Sequence, residues 1–307
     1  VYELTKPRIT RLVTITSGVG FALGAIAQTW EWKDLVVRCL ACLLGTGLSA
    51  AGANALNQWW ERDRDAAMPR TCARPLPTER VHPSHALGWG IVLSIAGVGL
   101  LGLLGLAPAL VSLATILIYV LLYTPLKPVT TINTLIGAIP GALPPLIGWA
   151  AAKSGNALWG GHWTVAPLLE VGGWSLFSLM FVWQIPHFLA IAWMYRDDYA
   201  KGGYRMLPIS DPDGHCTAST ILLWAILLIP ATLAPALVLR SPLGSTLGWT
   251  TVAVALGTGT VYVWLAARLW RSRSLKDARR VFFASIMHLP LLLMVMVGDA
   301  LIRSWLR

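Results

Sequence analysis

Apolar runs of about 20 residues recur along the whole chain, separated by short stretches where charge, glycine and proline collect. Nine runs stand out, at about 9–29, 35–57, 84–106, 108–124, 131–151, 166–194, 217–239, 245–268 and 280–302. Helices of that length cross a bilayer, because only a helix or a closed barrel satisfies its own backbone in hydrocarbon. The pattern therefore predicts an all-α, polytopic membrane protein. Its nine transmembrane helices would surround a central cavity in one domain covering residues 1–307. The fifth run holds Gly137, Pro140, Gly141, Pro144, Pro145 and Gly148, which predicts a kinked or interrupted helix. The sixth run is the longest and is expected to tilt.

Composition agrees with the pattern. Hydrophobic residues make up 56% of the chain and charged residues 12%, against roughly a quarter charged in soluble proteins. Alternating the loops between two sides puts 18 of the 24 lysines and arginines on the side of the amino terminus. The positive-inside tendency makes that side cytosolic. The net charge of +10 reports this bias and an attraction to anionic headgroups of the lipid bilayer, not nucleic acid binding. The four cysteines support no disulfide framework, and Cys39 and Cys42 read as small buried apolar residues.

Two acidic clusters lie at cytosolic ends of runs. The first is Asn57-Gln-Trp-Trp-Glu61-Arg-Asp63-Arg-Asp65, followed by Arg70 and Arg74; the second is Tyr195-Arg-Asp197-Asp198-Tyr199-Ala-Lys201. Asn57, Glu61 and Asp65 are spaced so that one helix face carries all three. Asp63 and Arg64 fall on another face and read as surface residues. Carboxylates persist near hydrocarbon when they are paired, hydrated or holding a cation. Two clusters with adjacent bases suit magnesium bridged to a diphosphate, since Mg²⁺ takes few protein ligands and shares its shell with substrate phosphates. Arg70, Arg74, Lys127 and Lys201 are the phosphate candidates, and Tyr123 or Trp183 would face an allylic cation.

A faint internal repeat accompanies the clusters. Leu4-Thr-Lys6-Pro precedes run one as Pro125-Leu-Lys127-Pro precedes run five, and the acidic stretches follow runs two and six. This divides the chain into halves of about 1–124 and 125–270 plus a final helix at about 280–302.

At these residues the chain resembles the UbiA superfamily of intramembrane prenyltransferases. The family's N-x-x-x-D-x-x-x-D motif becomes Asn57-x-x-x-Glu61-x-x-x-Asp65. Its second motif is altered: Tyr195 and Tyr199 occupy the spaced acidic positions, with Asp197 and Asp198 between them. Leu4-Thr-Lys-Pro-Arg8, Met68-x-Arg70-Thr, Tyr123-Thr-Pro-Leu-Lys127, Asn133, Gly141-Ala-Leu-Pro-Pro145, Trp183-Gln-x-Pro-His187 and Asp198-Tyr-x-x-Gly-Gly203 are similar to the family branch that farnesylates heme. The resemblance covers residues 4 to about 213. It implies a UbiA-type fold and transfer of farnesyl from farnesyl diphosphate to a vinyl carbon of heme B, a substrate, giving heme O. It also implies Mg²⁺ held with diphosphate by Asn57, Glu61, Asp65 and Asp198. Phosphate would be bound by Arg70, Arg74, Lys127 and Lys201, and Tyr123, Asn133 and Trp183 would line the prenyl pocket.

His187 is the candidate heme ligand, with a hydrogen-bonded structural histidine as the competing reading and His288 as a second candidate. His162 is assigned to the far side of the membrane. Location is expected to be the bacterial inner membrane, with the active site on the cytoplasmic side, ahead of a mitochondrial one. Expected partners downstream are a heme-modifying enzyme or cytochrome oxidase assembly factors; the oligomeric state stays open. The rivals are a UbiA-type enzyme acting on a quinone precursor or chlorophyllide, and a transporter or heme carrier built on a broken fifth helix.

Overall fold

In the computed structural model, residues 2–26, 28, 30–154, 163–241, 244–245 and 247–305 are described. His162 lies outside them. A short 3₁₀ segment, Tyr2–Thr5, leads into α1 (Pro7–Ala25), and α2 (Trp32–Ala67) follows. Then come α3 (Pro83–Leu104) and α4 (Leu106–Leu117), which widens into a π-helical turn at Ile118–Tyr123 and ends in α5 (Thr124–Leu126). The remaining elements are α6 (Asn133–Lys153), α7 (Val171–Met194), the short α8 (Arg196–Lys201) and α9 (Leu207–Ser210), α10 (His215–Val238), α11 (Trp249–Ser272) and α12 (Leu275–Trp305). A two-residue antiparallel ladder pairs Arg240–Ser241 with Gly244–Ser245.

Among the described residues, eight helical stretches are long and apolar enough to cross a membrane, so this is a multi-pass membrane protein. Helix α1 forms where the first run was expected, but Arg8, Arg11 and its Thr, Ser and Gly residues keep it short of that measure. The predicted second run continues to Ala67, so α2 is one rod of 36 residues carrying the whole first acidic cluster. It stops at Met68, where the following Pro69 disfavours helix in the residue before it.

The fifth run departs from expectation. Helix α6 is unbroken despite Pro140, Pro144 and Pro145, and it is the most enclosed of the spans. Surrounding protein compensates what the prolines remove. Helix α1 lies so close that a Cβ on Gly20 would sit 2.0 Å from the Pro145 carbonyl oxygen, and one on Gly148 would sit 1.8 Å from the Ser17 carbonyl oxygen. With the helix intact, the feature favouring a transporter is gone.

Helices α2 and α3 meet through small residues, Gly45, Ser49 and Gly52 against Gly90, Ser94 and Gly97, the usual way to bring backbones close in a bilayer. The bundle runs from α1 through α2, α3, α4, α6, α7, α10 and α11 to α12, which returns to α1. Helices α1 and α6 pack directly through its middle. A small cavity of about 20 Å³ opens beside them, lined by Val13 of α1, Thr46, Ser49, Ala50 and Ala53 of α2, residues of α4, and Pro144 and Ile147 of α6.

Candidate active site

Asn57, Glu61 and Asp65 form a ladder down one face of α2, and all three are buried. Each rung has its own basic partner from a different segment. Lys6 Nζ donates to Asn57 Oδ1 at 2.5 Å, Lys127 Nζ to Glu61 Oε1 at 2.7 Å, and Arg74 Nη1 to Asp65 Oδ2 at 2.6 Å. Buried carboxylates are stable only when paired in this way.

Each base is held in place locally. Gln58 Nε2 donates to the carbonyls of Glu3 and Leu4, which ties the amino-terminal segment across α2. Lys6 then turns into α1 with a left-handed φ of 45°, a conformation that costs a non-glycine residue roughly 1 kcal/mol. Lys127 leaves the π turn, which accommodates Pro125, whose ring collides with the carbonyl four residues back in a regular helix. Arg74 stands in the turn after α2, where Thr71 Oγ1 donates to the Asp65 carbonyl.

The second cluster folds onto the first. Arg64 Nη1 donates to the Gly202 carbonyl at 3.1 Å, and the Arg205 amide donates to the Lys127 carbonyl at 2.8 Å. Arg64 is exposed as expected, and it also bridges to the chain after α8, which returns over the end of α2. Asp63 is exposed as expected. Arg70 lies over the rings of Tyr195 and Tyr199, at 5.1 and 5.0 Å, beside Asp198. Asp197 points outward, 88% exposed, against Arg196, and Lys201 is exposed at the end of α8.

The three residues expected at a prenyl pocket separate. Tyr123 belongs to the site, with its ring 4.6 Å from Lys127 Nζ. Asn133 is buried as a tie between loops, donating to the carbonyls of Thr130 and Arg205. Trp183 stacks on His187 at 4.7 Å and donates to the Ser285 carbonyl, at the α7–α12 contact.

Electrostatics distinguish the bases. Burial, then the Arg74 guanidinium, brings Lys6 down to about 7, against the opposite pull of Glu61. Burial also pulls on Lys127, but Glu61 and then the phenols of Tyr123 and Tyr119 outweigh it and hold this ammonium well above the ordinary lysine range. Tyr204 is raised by burial and then by Glu61.

Lys6, Arg64, Thr124 and Tyr204 have contacts in this site that spacing alone did not assign. Only Lys6 carried a signal, as the basic residue of the Leu4–Arg8 segment that the repeat pairs with Lys127. Among the described residues no three His, Cys, Asp or Glu side chains converge as a metal cage. Asp65 Oδ1 is nevertheless buried and without a hydrogen-bond partner. One or two carboxylates with an open oxygen fit magnesium, which completes its shell from water and phosphate.

On α7, His187 Nδ1 lies 2.6 Å from Ser285 Oγ, and that hydroxyl donates to the Phe282 carbonyl at 2.6 Å. A hydroxyl has one hydrogen to give, so Nδ1 carries the proton and Nε2 presents its lone pair. His288 Nδ1 is similarly engaged with Thr258 Oγ1, and its Nε2 is buried without a partner.

Comparison with known proteins places this architecture. The sequence pattern of the UbiA prenyltransferase family matches residues 13–289. A protoheme IX farnesyltransferase of Solibacter usitatus is 42% identical over 303 residues, covering 97% of each chain. A solved structure of a digeranylgeranylglyceryl phosphate synthase superposes with a TM-score of 0.76 at 15% identity, over 97% of this chain and 96% of that one. A UbiA homolog from Archaeoglobus fulgidus bound to DMAPP and Mg²⁺ gives 0.64 at 12% identity, over 97% and 98%. With its fold shared across the superfamily and its sequence close to the heme-modifying members, the chain belongs to the UbiA prenyltransferase family, on the protoheme IX farnesyltransferase branch.

Proposed function

We propose that this prenyltransferase moves the farnesyl group of farnesyl diphosphate onto a vinyl carbon of heme B, with water added, to give heme O and diphosphate. The observation that carries the transfer chemistry is the ladder of Asn57, Glu61 and Asp65, each rung met by its own basic partner, with an apolar cavity beneath it. The near full-length likeness to a protoheme IX farnesyltransferase supports heme as acceptor.

Asp65, Glu61, Asn57 and Asp198 would hold Mg²⁺, which when bound neutralises the diphosphate and makes it a better leaving group. Around it, Lys6, Lys127, Arg74 and Arg70 supply positive charge to the remaining phosphoryl oxygens as the carbon–oxygen bond breaks and the electron pair leaves with diphosphate. Lys127 is committed to its charged form. The Tyr123 ring faces this end of the site and stabilises an allylic cation by about 0.5–2 kcal/mol. The isoprenoid tail lies along the α2 face below Asn57, past the small side chains of Ala53, Ala50 and Thr46, and apolar walls keep water from the cation. The new carbon–carbon bond forms at the outer vinyl carbon. Water then bonds to the inner one and releases a proton.

His187, held by Ser285 with Nε2 free, is the heme iron ligand in this reading. The reaction takes place on the cytoplasmic side of a bacterial inner membrane, the side the basic residues select.

Incubating the purified protein with heme B, farnesyl diphosphate and Mg²⁺ yields heme O by mass spectrometry of extracted hemes. Turnover of a phenolic quinone precursor, with none of heme, overturns the acceptor assignment.

A further inference from the structure

Asn57 is fully buried, and its amide has two chemically different ends. Its Nδ2 donates to Thr124 Oγ1 at 2.8 Å, and its Oδ1 accepts from Lys6 Nζ. The Thr124 hydroxyl is itself spent: it donates to the Tyr119 carbonyl at 2.8 Å. With its one hydrogen given away, Thr124 can only accept from Asn57, so the NH₂ end must face it. The oxygen end is thereby turned toward Lys6, whose charge feels both Glu61 and Asp65. The Tyr119 carbonyl that fixes Thr124 lies in the π turn, and it receives the Thr124 backbone N–H as well, five residues along.

From this geometry we infer that Thr124 is a positioning residue: anchored by the π turn, it sets which end of the Asn57 amide faces the diphosphate pocket. The inference rests on the site reading above, in which that pocket receives a magnesium diphosphate head. An oxygen there is a ligand for a hard cation, and an NH₂ group there is not. Lys6 occupies the oxygen when the pocket is empty, and the incoming phosphate draws the ammonium to itself. Without the Thr124 acceptor, only the Lys6 ammonium distinguishes the two amide orientations, and that hold is lost when phosphate draws Lys6 away.

The test measures binding of inorganic diphosphate by calorimetry to the detergent-solubilised full chain, with and without Mg²⁺. In the wild type, Mg²⁺ strengthens diphosphate binding. In Thr124→Val, which keeps the shape and removes the hydroxyl, that gain shrinks by about tenfold, the equivalent of one hydrogen bond. Binding without Mg²⁺ is unchanged. Thr124→Ser restores the gain to within about twofold. Where Thr124→Val does not yield folded protein, Thr124→Ala removes the same hydroxyl and carries the same expectation. A wild-type gain in these variants, or equal loss with and without Mg²⁺, overturns the positioning role and leaves the site reading intact. A wild type in which Mg²⁺ brings no gain overturns the site reading and this inference with it.

Discussion

Lys127 and Glu61 form an ion pair 2.7 Å long across the junction of α2 and the link before α6, with side chains only 13% and 5% exposed. Neither charge has enough water to survive alone. Glu61→Gln and Lys127→Met each strand the partner's charge and cost about 3–5 kcal/mol of stability. The double variant removes both charges and recovers most of that loss. It does not recover heme O formation, because the ammonium proposed to bind phosphate is gone. Thermal unfolding in detergent read beside product formation separates the two effects, and recovery of activity in the double variant contradicts the role given to Lys127.

Asp65 differs from Glu61 in a way that changes its expected phenotype. Its partner Arg74 is 29% exposed and stays hydrated when the carboxylate is lost. Asp65→Ala therefore leaves folded protein while abolishing turnover, and Asp198→Ala at the half-exposed second cluster does the same. Retained activity in both variants removes the diphosphate reading.

Most of the architecture was legible because apolar run length and a four-residue spacing are local properties. The ladder on α2 followed from spacing alone. The bases that meet it did not: Lys6 is 51 residues from Asn57 and Lys127 is 66 from Glu61, so only tertiary packing pairs them. Arg64 stays at the surface as its face of α2 predicts, but its contact was hidden for the same reason, since the segment it holds arrives 138 residues later. The unbroken α6 was hidden by a sound local rule. Prolines break isolated helices, but close packing of α1 on α6 at Gly20 and Gly148 accompanies an unbroken backbone here. Trp183 shared a motif with His187 and stays with it, on the α7–α12 contact.

That contact carries a prediction about heme. If Nε2 of His187 ligates iron, His187→Ala changes the absorption spectrum of bound heme. Ser285→Ala keeps the imidazole but frees its tautomer, weakening heme binding by about tenfold. An unaltered spectrum in His187→Ala argues against ligation and leaves the histidine a purely structural one.

Acid sensitivity has a separate local source. Asp211 Oδ2 accepts from the Thr217 amide at 2.7 Å and from its hydroxyl at 2.8 Å, closing the start of α10. Burial is the largest single influence and raises its carboxyl, but these bonds together outweigh it and hold it below the usual range. A depressed carboxylate contributes stability above its unfolded pKa and loses it as pH falls through the folded one. Asp211→Asn therefore lowers the unfolding temperature at pH 7, by an amount worth about 1 kcal/mol. The difference from wild type closes as pH falls below the ordinary aspartate range. A gap that persists undiminished in acid assigns the loss to packing.

In the proposed reading, donor length is set by the cavity under the ladder. Ala53, Ala50 and Thr46 lie one, two and three turns below Asn57 on the same face of α2, and Pro144 and Ile147 close the opposite wall. These small residues are what leave space there, and a larger side chain on α2 takes it. Ala50→Phe fills the part of the cavity that the last isoprene unit of a farnesyl tail would occupy. Losing that burial costs roughly 3 kcal/mol, or about two orders of magnitude in kcat/KM for farnesyl diphosphate. The two-unit geranyl diphosphate does not reach so deep and keeps its kcat/KM. Competing the two donors for heme and weighing the products by mass spectrometry reads the ratio directly. An unchanged ratio in Ala50→Phe places the tail elsewhere in the bundle.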